Sequence, residues 1–180
     1  MIIRSEVPPR LLIEARPGAG KTTAFRRLAG LLRDSGAAVA GFTTEEIRQS
    51  GKRVGFSVES IGGEAATLAH VDLPGPPRVS RYGVDLEAFE RVALPSLEAP
   101  PGAVVLIDEL GKMELASERF RAAVEDLFES ELPLAATVQV ARHPFTVALR
   151  ARAGVEVVRL TAANRDDLPR QLAERLTSDG

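Results

Sequence analysis

The stretch Arg10-Leu11-Leu12-Ile13-Glu14-Ala15-Arg16-Pro17-Gly18-Ala19-Gly20-Lys21-Thr22-Thr23 decides the fold. It opens on a short apolar run over residues 10–14 and passes through a glycine-rich turn. Phe25, Leu28, Ala29 and Leu32 then recur at i, i+3, i+4 and i+7, the spacing of an amphipathic helix. The order is strand, loop, helix. Ala15 through Thr22 matches the phosphate-loop pattern G-x-x-x-x-G-K-[ST], with Ala15 at the first glycine. That position serves a tight turn where a methyl group fits, whereas Gly18 and Gly20 let backbone N–H groups approach phosphate oxygens. Consecutive N–H groups at the start of a helix over residues 22–32, together with the positive end of its dipole, favour a bound anion. Lys21 is expected to reach the β- and γ-phosphates and Thr22 to offer its hydroxyl to Mg²⁺. Ala15, Arg16, Pro17, Gly18, Ala19, Gly20, Lys21, Thr22 and Thr23 are therefore the expected nucleotide cradle.

Working outward, Gly36 ends the helix and residues 38–43 form a second apolar strand. From Thr44 the pattern changes. Val54, Phe56 and Val58 alternate with polar residues between Ser50-Gly51 and Gly62-Gly63, which predicts an antiparallel hairpin excursion over residues 44–69. Asp85 can cap a helix carrying Leu86, Phe89, Ala93 and Leu97, bent or ended at Pro95. A strand at 103–107, a helix after Ser117, a strand at 134–138, a short helix at 144–152, a strand at Val155–Leu160 and a closing helix with Leu168, Leu172 and Leu176 follow. Strands that alternate with helices and are mostly continuous in their apolar character predict an α/β fold. Its sheet should be mostly parallel, covered on both faces, within one domain spanning residues 1–180. Ligands in such sheets sit beyond the carboxyl ends of the strands, here residues 15–23, 108–114, 137–142 and 161–165.

The strand at 103–107 ends in Asp108-Glu109. A buried strand that carries one carboxylate to the sheet edge beside a phosphate loop is what a second Mg²⁺-binding motif requires, so Asp108 joins Thr22 as an expected metal ligand. Glu109, one step on, is placed to polarise an attacking water and is the expected catalytic residue beside Lys21.

The chain resembles the nucleoside-triphosphatases first described from thermophiles, which have a human relative called cancer-related nucleoside-triphosphatase. The resemblance rests on the motif from Arg16 to Thr23 and on Gly41-Phe42-Thr43-Thr44-Glu45-Glu46. It continues through Gly51-Lys52-Arg53-Val54-Gly55-Phe56, Tyr82-Gly83-Val84-Asp85, the run from Asp108 through Gly111, Lys112 and Glu114 to Leu115, and Asn164-Arg165-Asp166. Ala15 is the one departure in the phosphate loop. The resemblance implies a P-loop NTPase with a RecA-like sheet, a catalytic glutamate beside the Mg²⁺ aspartate, and slow hydrolysis of several nucleoside triphosphates.

Twenty of the 23 basic residues are Arg, so the three lysines, Lys21, Lys52 and Lys112, stand out; a compact ammonium and a guanidinium are not interchangeable at a phosphate. Lys112 and Glu114 point at the γ-phosphate or at Glu109, against a solvated turn as the alternative. Asn164-Arg165 superficially resembles the guanine reader of small GTPases, free to touch base or phosphate if Asp166 or Asp167 caps the helix that Pro169 opens. Arg142, Arg150, Arg152 and Arg165 are candidates to meet transition-state charge, each with a plain surface role as the alternative. Thr137 or Gln139 could sense the γ-phosphate, or simply be solvated at a strand end. Arg81-Tyr82 could line the site by family analogy. His70 and His143 share no metal-ligand spacing.

The formal charge of −2 argues against a sequence-independent nucleic-acid binder, and the lack of cysteine excludes thiolate chemistry. Residues 1–9 form neither a secretory core nor a membrane span. A cytoplasmic monomer that acts on ATP, GTP and other nucleoside triphosphates is the expectation. A small-molecule or nucleotide kinase, with the excursion as acceptor lid, is the first alternative; a nucleotide-dependent switch working with RNA or a protein partner is the second.

Overall fold

The computed structural model describes residues 7–178, so the first six residues of the amino-terminal stretch discussed above lie outside it. One nine-stranded sheet runs through the molecule: β1 (Arg10–Ala15), β2 (Val39–Gln49), β3 (Lys52–Ser60), β4 (Ala65–His70), β5 (Arg78–Val79), β6 (Tyr82–Val84), β7 (Val104–Ile107), β8 (Leu134–Gln139) and β9 (Val155–Leu160), in the order β5-β6-β4-β3-β2-β7-β8-β1-β9. The run from β2 to β9 is parallel, and the run from β2 to β5 is antiparallel. The helices are α1 (Lys21–Asp34), α2 (Leu86–Ser96), α3 (Glu118–Glu129), α4 (Pro144–Arg150) and α5 (Leu168–Thr177), with a single 3₁₀ turn at Glu114–Ala116.

The continuous apolar runs are explained by cover on both faces. Leu12, Phe42, Val105, Ile107, Ala136 and Val138 pack with α2 and α3 through Phe89, Val92, Phe120 and Val124. Their strand neighbours Leu11, Ile13, Val104, Leu106 and Ala135 pack with α1 and α5 through Phe25, Leu28, Leu32, Leu168 and Leu172. Phe42, Phe89 and Phe120 meet pairwise with ring centroids 5.0–5.7 Å apart, at angles that favour edge-on aromatic contact.

Two sequence boundaries are corrected. β2 does not stop at Thr43 but continues to Gln49, and the hairpin is an extension of the same sheet that reaches Val84 through β5 and β6. Alternation begins at Thr44 because Phe42 pairs with Ile107 at the end of β7, and beyond that pair β2 leaves the covered parallel core. The short helix also ends at Arg150 rather than Arg152. Register then sets the site: Ala15 pairs with Gln139 on one side and Leu160 on the other, and Ile107 with Ala136. The carboxyl ends of β1, β7, β8 and β9 thus share one edge, as expected.

Candidate functional site

Ala15, the departure from the glycine pattern, is the buried last residue of β1, and its methyl belongs to the apolar cluster under α1 and α5. Gly18 and Gly20 take φ of +80° and +89°, which a side-chain-bearing residue rarely adopts. Ala19 N–H donates to the Arg16 carbonyl at 3.1 Å and closes the loop, while Arg16, Pro17 and Gly18 are exposed. α1 starts on Gly20 with no side-chain cap and no acid in its first turn. Its first N–H groups thus face the loop with neither a capping oxygen nor a local negative charge, the usual setting for a bound anion.

Consecutive residues meet consecutive residues here. Lys21 Nζ forms an ion pair with Glu109 Oε2, and Thr22 Oγ1 lies 3.1 Å from Asp108 Oδ2. Asp108 is fully buried, and its other oxygen accepts from Thr137 Oγ1 at 2.7 Å. Burial drives the Asp108 pKa upward, opposed by the Lys21 charge and the hydroxyl bonds. Thr22 Oγ1 is also 3.4 Å from the Thr44 carbonyl, so its one proton has two acceptors while its lone pairs stay open. A desolvated carboxylate beside a hydroxyl is the all-oxygen donor set that suits a small hard cation, and Mg²⁺ fits the residues present.

Glu109 is held on its second oxygen as well, where Gln139 Nε2 donates to Oε1 at 3.0 Å. Neither Thr137 nor Gln139 is therefore a merely solvated strand end. Both Glu109 and Glu114 crowd Gly111, where a Cβ would come within 2.9 Å of Glu109 Oε1 and 2.8 Å of Glu114 Oε2, so a side chain here would push the two carboxylates aside. Glu114 is buried, and that burial, reinforced by the charge of Glu109, pushes its pKa up to about 8. Lys112, by contrast, is exposed.

The remaining sequence candidates divide. Arg165 reaches the loop: its Cδ would lie 3.5 Å from a Cβ on Gly20. Asn164 is not free for a base, because its Oδ1 accepts from Thr161 N–H at 2.8 Å and its Nδ2 donates to the Arg159 carbonyl at 2.9 Å. Asp167 holds the N-cap position of α5 but makes no side-chain capping bond. Arg150 is engaged elsewhere, donating to Glu14 Oε2 at 2.5 Å, and Arg152 lies 3.5 Å from Glu129. Arg142 is exposed. Tyr82 is buried in the antiparallel half, its hydroxyl accepting from Arg53 and Arg81, which brace the β3–β6 region. His143 caps α4 by accepting from Phe145 N–H, and His70 Nδ1 accepts from Asp72 N–H. Among the described residues no helix is long and apolar enough to cross a membrane.

Glu14 was missed in the sequence. Read as the end of an apolar run, it is a buried carboxylate paired with Arg150 and Arg159, and the guanidinium of Arg150 holds its pKa below the usual range. Its only local signal is an acid among the apolar residues Leu11, Leu12, Ile13 and Ala15 of β1.

Comparison with known proteins establishes the family and the fold. A family model described as NTPase matches residues 10–173. The nucleoside-triphosphatase THEP1 of Thermotoga petrophila is 43% identical over 165 residues, covering 91% of this chain and 90% of the relative. The human cancer-related nucleoside-triphosphatase is 39% identical over 167 residues, covering 84% and 88%. The crystal structure of THEP1 from Aquifex aeolicus superposes with a TM-score of 0.84 at 30% identity, covering 94% of this chain and 99% of that one. The solution structure of the human protein gives 0.82 at 36% identity, covering 96% and 99%. With a phosphate loop, an acid pair behind it and relatives of matching length and fold, this chain belongs to the NTPase family of THEP1 and the cancer-related nucleoside-triphosphatases.

Proposed function

We propose that the chain hydrolyses nucleoside 5′-triphosphates to diphosphate and phosphate with Mg²⁺, slowly and with little preference among bases. One observation carries this: Lys21 and Thr22 of the phosphate loop meet Glu109 and Asp108 of β7, residue for residue. The triphosphate tail lies over the first turn of α1, where loop N–H groups donate to its oxygens and Lys21 turns from Glu109 to the β- and γ-phosphates. Thr22 and Asp108 hold Mg²⁺, which when bound offsets charge on the β- and γ-oxygens. Glu109 takes the proton of a water as that water attacks the γ-phosphorus, and the diphosphate departs. Glu109 is suited to this because it is a carboxylate beside the phosphate rather than a hydroxyl-bearing acceptor.

Breadth of base is supported by Asn164, whose amide is used within its own turn. Slowness is supported by the arginines, since Arg150 and Arg152 are committed to Glu14 and Glu129 and leave Arg165 against the loop. With that arginine in cis and none supplied by a partner, a P-loop domain still turns over slowly.

Phosphate release from ATP, GTP, CTP and UTP, with Mg²⁺ and with EDTA, tests the proposal. Turnover is expected with all four, lost in EDTA, and reduced about 10²-fold or more in Glu109→Gln, the scale of general-base removal. Parental turnover by Glu109→Gln would overturn the mechanism. Phosphate appearing on an added nucleoside or sugar, rather than free in solution, would establish a kinase instead.

A further inference from the structure

β8 sets two donors against two acids. Thr137 and Gln139, two residues apart and so on one side of the strand, meet Asp108 and Glu109 respectively. Only the NH₂ end of the Gln139 amide can face the Glu109 carboxylate, because its oxygen there would oppose another oxygen. Glu109 is thereby gripped twice, by Lys21 on Oε2 and by Gln139 on Oε1. The grips differ in what substrate does to them. A triphosphate draws the Lys21 ammonium to itself, and Glu109 then keeps the buried carboxyl of Glu114 nearby as a neighbour that repels it when ionised. The amide of Gln139 is the contact that remains.

Gln139 is itself anchored. Its carbonyl accepts from Arg150 at 3.3 Å, and Arg150 is fixed by the buried Glu14, one residue before the phosphate loop turns off β1. Paired with Ala15 of β1 in register, Gln139 projects its amide from backbone held by that strand and by Arg150.

We propose that Gln139 is a positioning residue for hydrolysis: it fixes one oxygen of Glu109 while substrate draws Lys21 off the other, leaving Oε2 free to accept the proton of the attacking water. This rests on Glu109 being the base, and it assigns Gln139 to the glutamate rather than to the γ-phosphate.

The test is a double-mutant cycle on the full chain. Gln139→Met keeps the length and volume of the side chain and removes the donor. It is expected to lower kcat by about 10- to 100-fold, the scale of a reacting group misplaced by an ångström. The affinity for a non-hydrolysable Mg²⁺–ATP analogue, read by calorimetry, should stay within about twofold, because the triphosphate contacts are untouched. In a Glu109→Gln background the same change should cost nothing further. Parental kcat in Gln139→Met overturns the proposal, and so does an equal loss in both backgrounds, which would place Gln139 on the phosphate. If Glu109→Gln alone turned over at the parental rate, the hydrolytic reading would fail first, identifiably apart from Gln139. Should Gln139→Met not fold, Gln139→Asn, whose amide falls one methylene short of Glu109, supplies the same comparison.

Discussion

Glu114 shows what burial does to a single carboxyl group. It lies against the Cα of Gly111 beside Glu109, and its pKa is raised to about 8 chiefly by loss of water and secondarily by the Glu109 charge. The folded chain therefore keeps a proton that the unfolded chain releases in the ordinary carboxylate range, and ∂ΔG/∂pH is negative between the two values. The stabilising contribution is complete below about pH 4.5 and is lost as pH rises to about 8. Glu114→Gln, which is always neutral, should remove that loss. Urea midpoints of nucleotide-free protein and Glu114→Gln at pH 5, 7 and 9 are expected to diverge as pH rises, with the variant the more stable at pH 9. A constant offset across the three would mean that Glu114 is ionised in the fold. At this scale the sequence was most readable where the candidate site is local: Gly18 to Thr22 and Asp108-Glu109 stand out by spacing. Glu14, Gln139 and Asn164 do not, because each is defined by a partner that only strand order or a particular turn brings near.

Elements were legible where a helix covers them and less so where cover stops. α1, α2, α3 and α5 each present a 3.6-residue apolar stripe to the sheet, and their existence follows from it. β2 was cut short at Thr43 because its outer half changes pattern although its hydrogen-bonded ladder with β3 does not break there. β5 and β6 are two and three residues long, too short for any periodicity. Caps show both outcomes. Asp85 accepts from Ala88 N–H at 2.9 Å, as its place before α2 predicts, whereas Asp167 stands in the same position on α5 and bonds to nothing there. Asp85→Ala should accordingly cost about 1 kcal/mol of unfolding free energy, measurable as a shift in urea midpoint at constant slope. Asp167→Ala should cost well under half of that; equal losses would mean that the side-chain cap on α2 carries no stability.

At the scale of the whole molecule, the proposed ligand groups are scattered along the sequence and meet only because β7, β8, β1 and β9 lie side by side with their carboxyl ends level. The phosphate loop follows β1, the acids follow β7, Gln139 ends β8 and Arg165 follows β9. No partly opened sheet retains that set, so nucleotide should be linked to global unfolding rather than to a local event. Ligand that binds only the folded state adds RT ln(1 + [L]/Kd), about 2.7 kcal/mol at 100 times Kd. For a chain of 180 residues that converts to a rise in Tm of roughly 5–10 °C. A non-hydrolysable ATP analogue with Mg²⁺ should produce such a rise in calorimetry, with one transition before and after. EDTA should reduce it, since on the proposed reading Thr22 and Asp108 hold the phosphates through a cation. Lys21→Ala should abolish most of it while leaving the nucleotide-free transition in place, because the Lys21 side chain is partly exposed and its ion pair with Glu109 is the contact that substrate replaces. A rise undiminished by both treatments would put the nucleotide somewhere other than the amino end of α1.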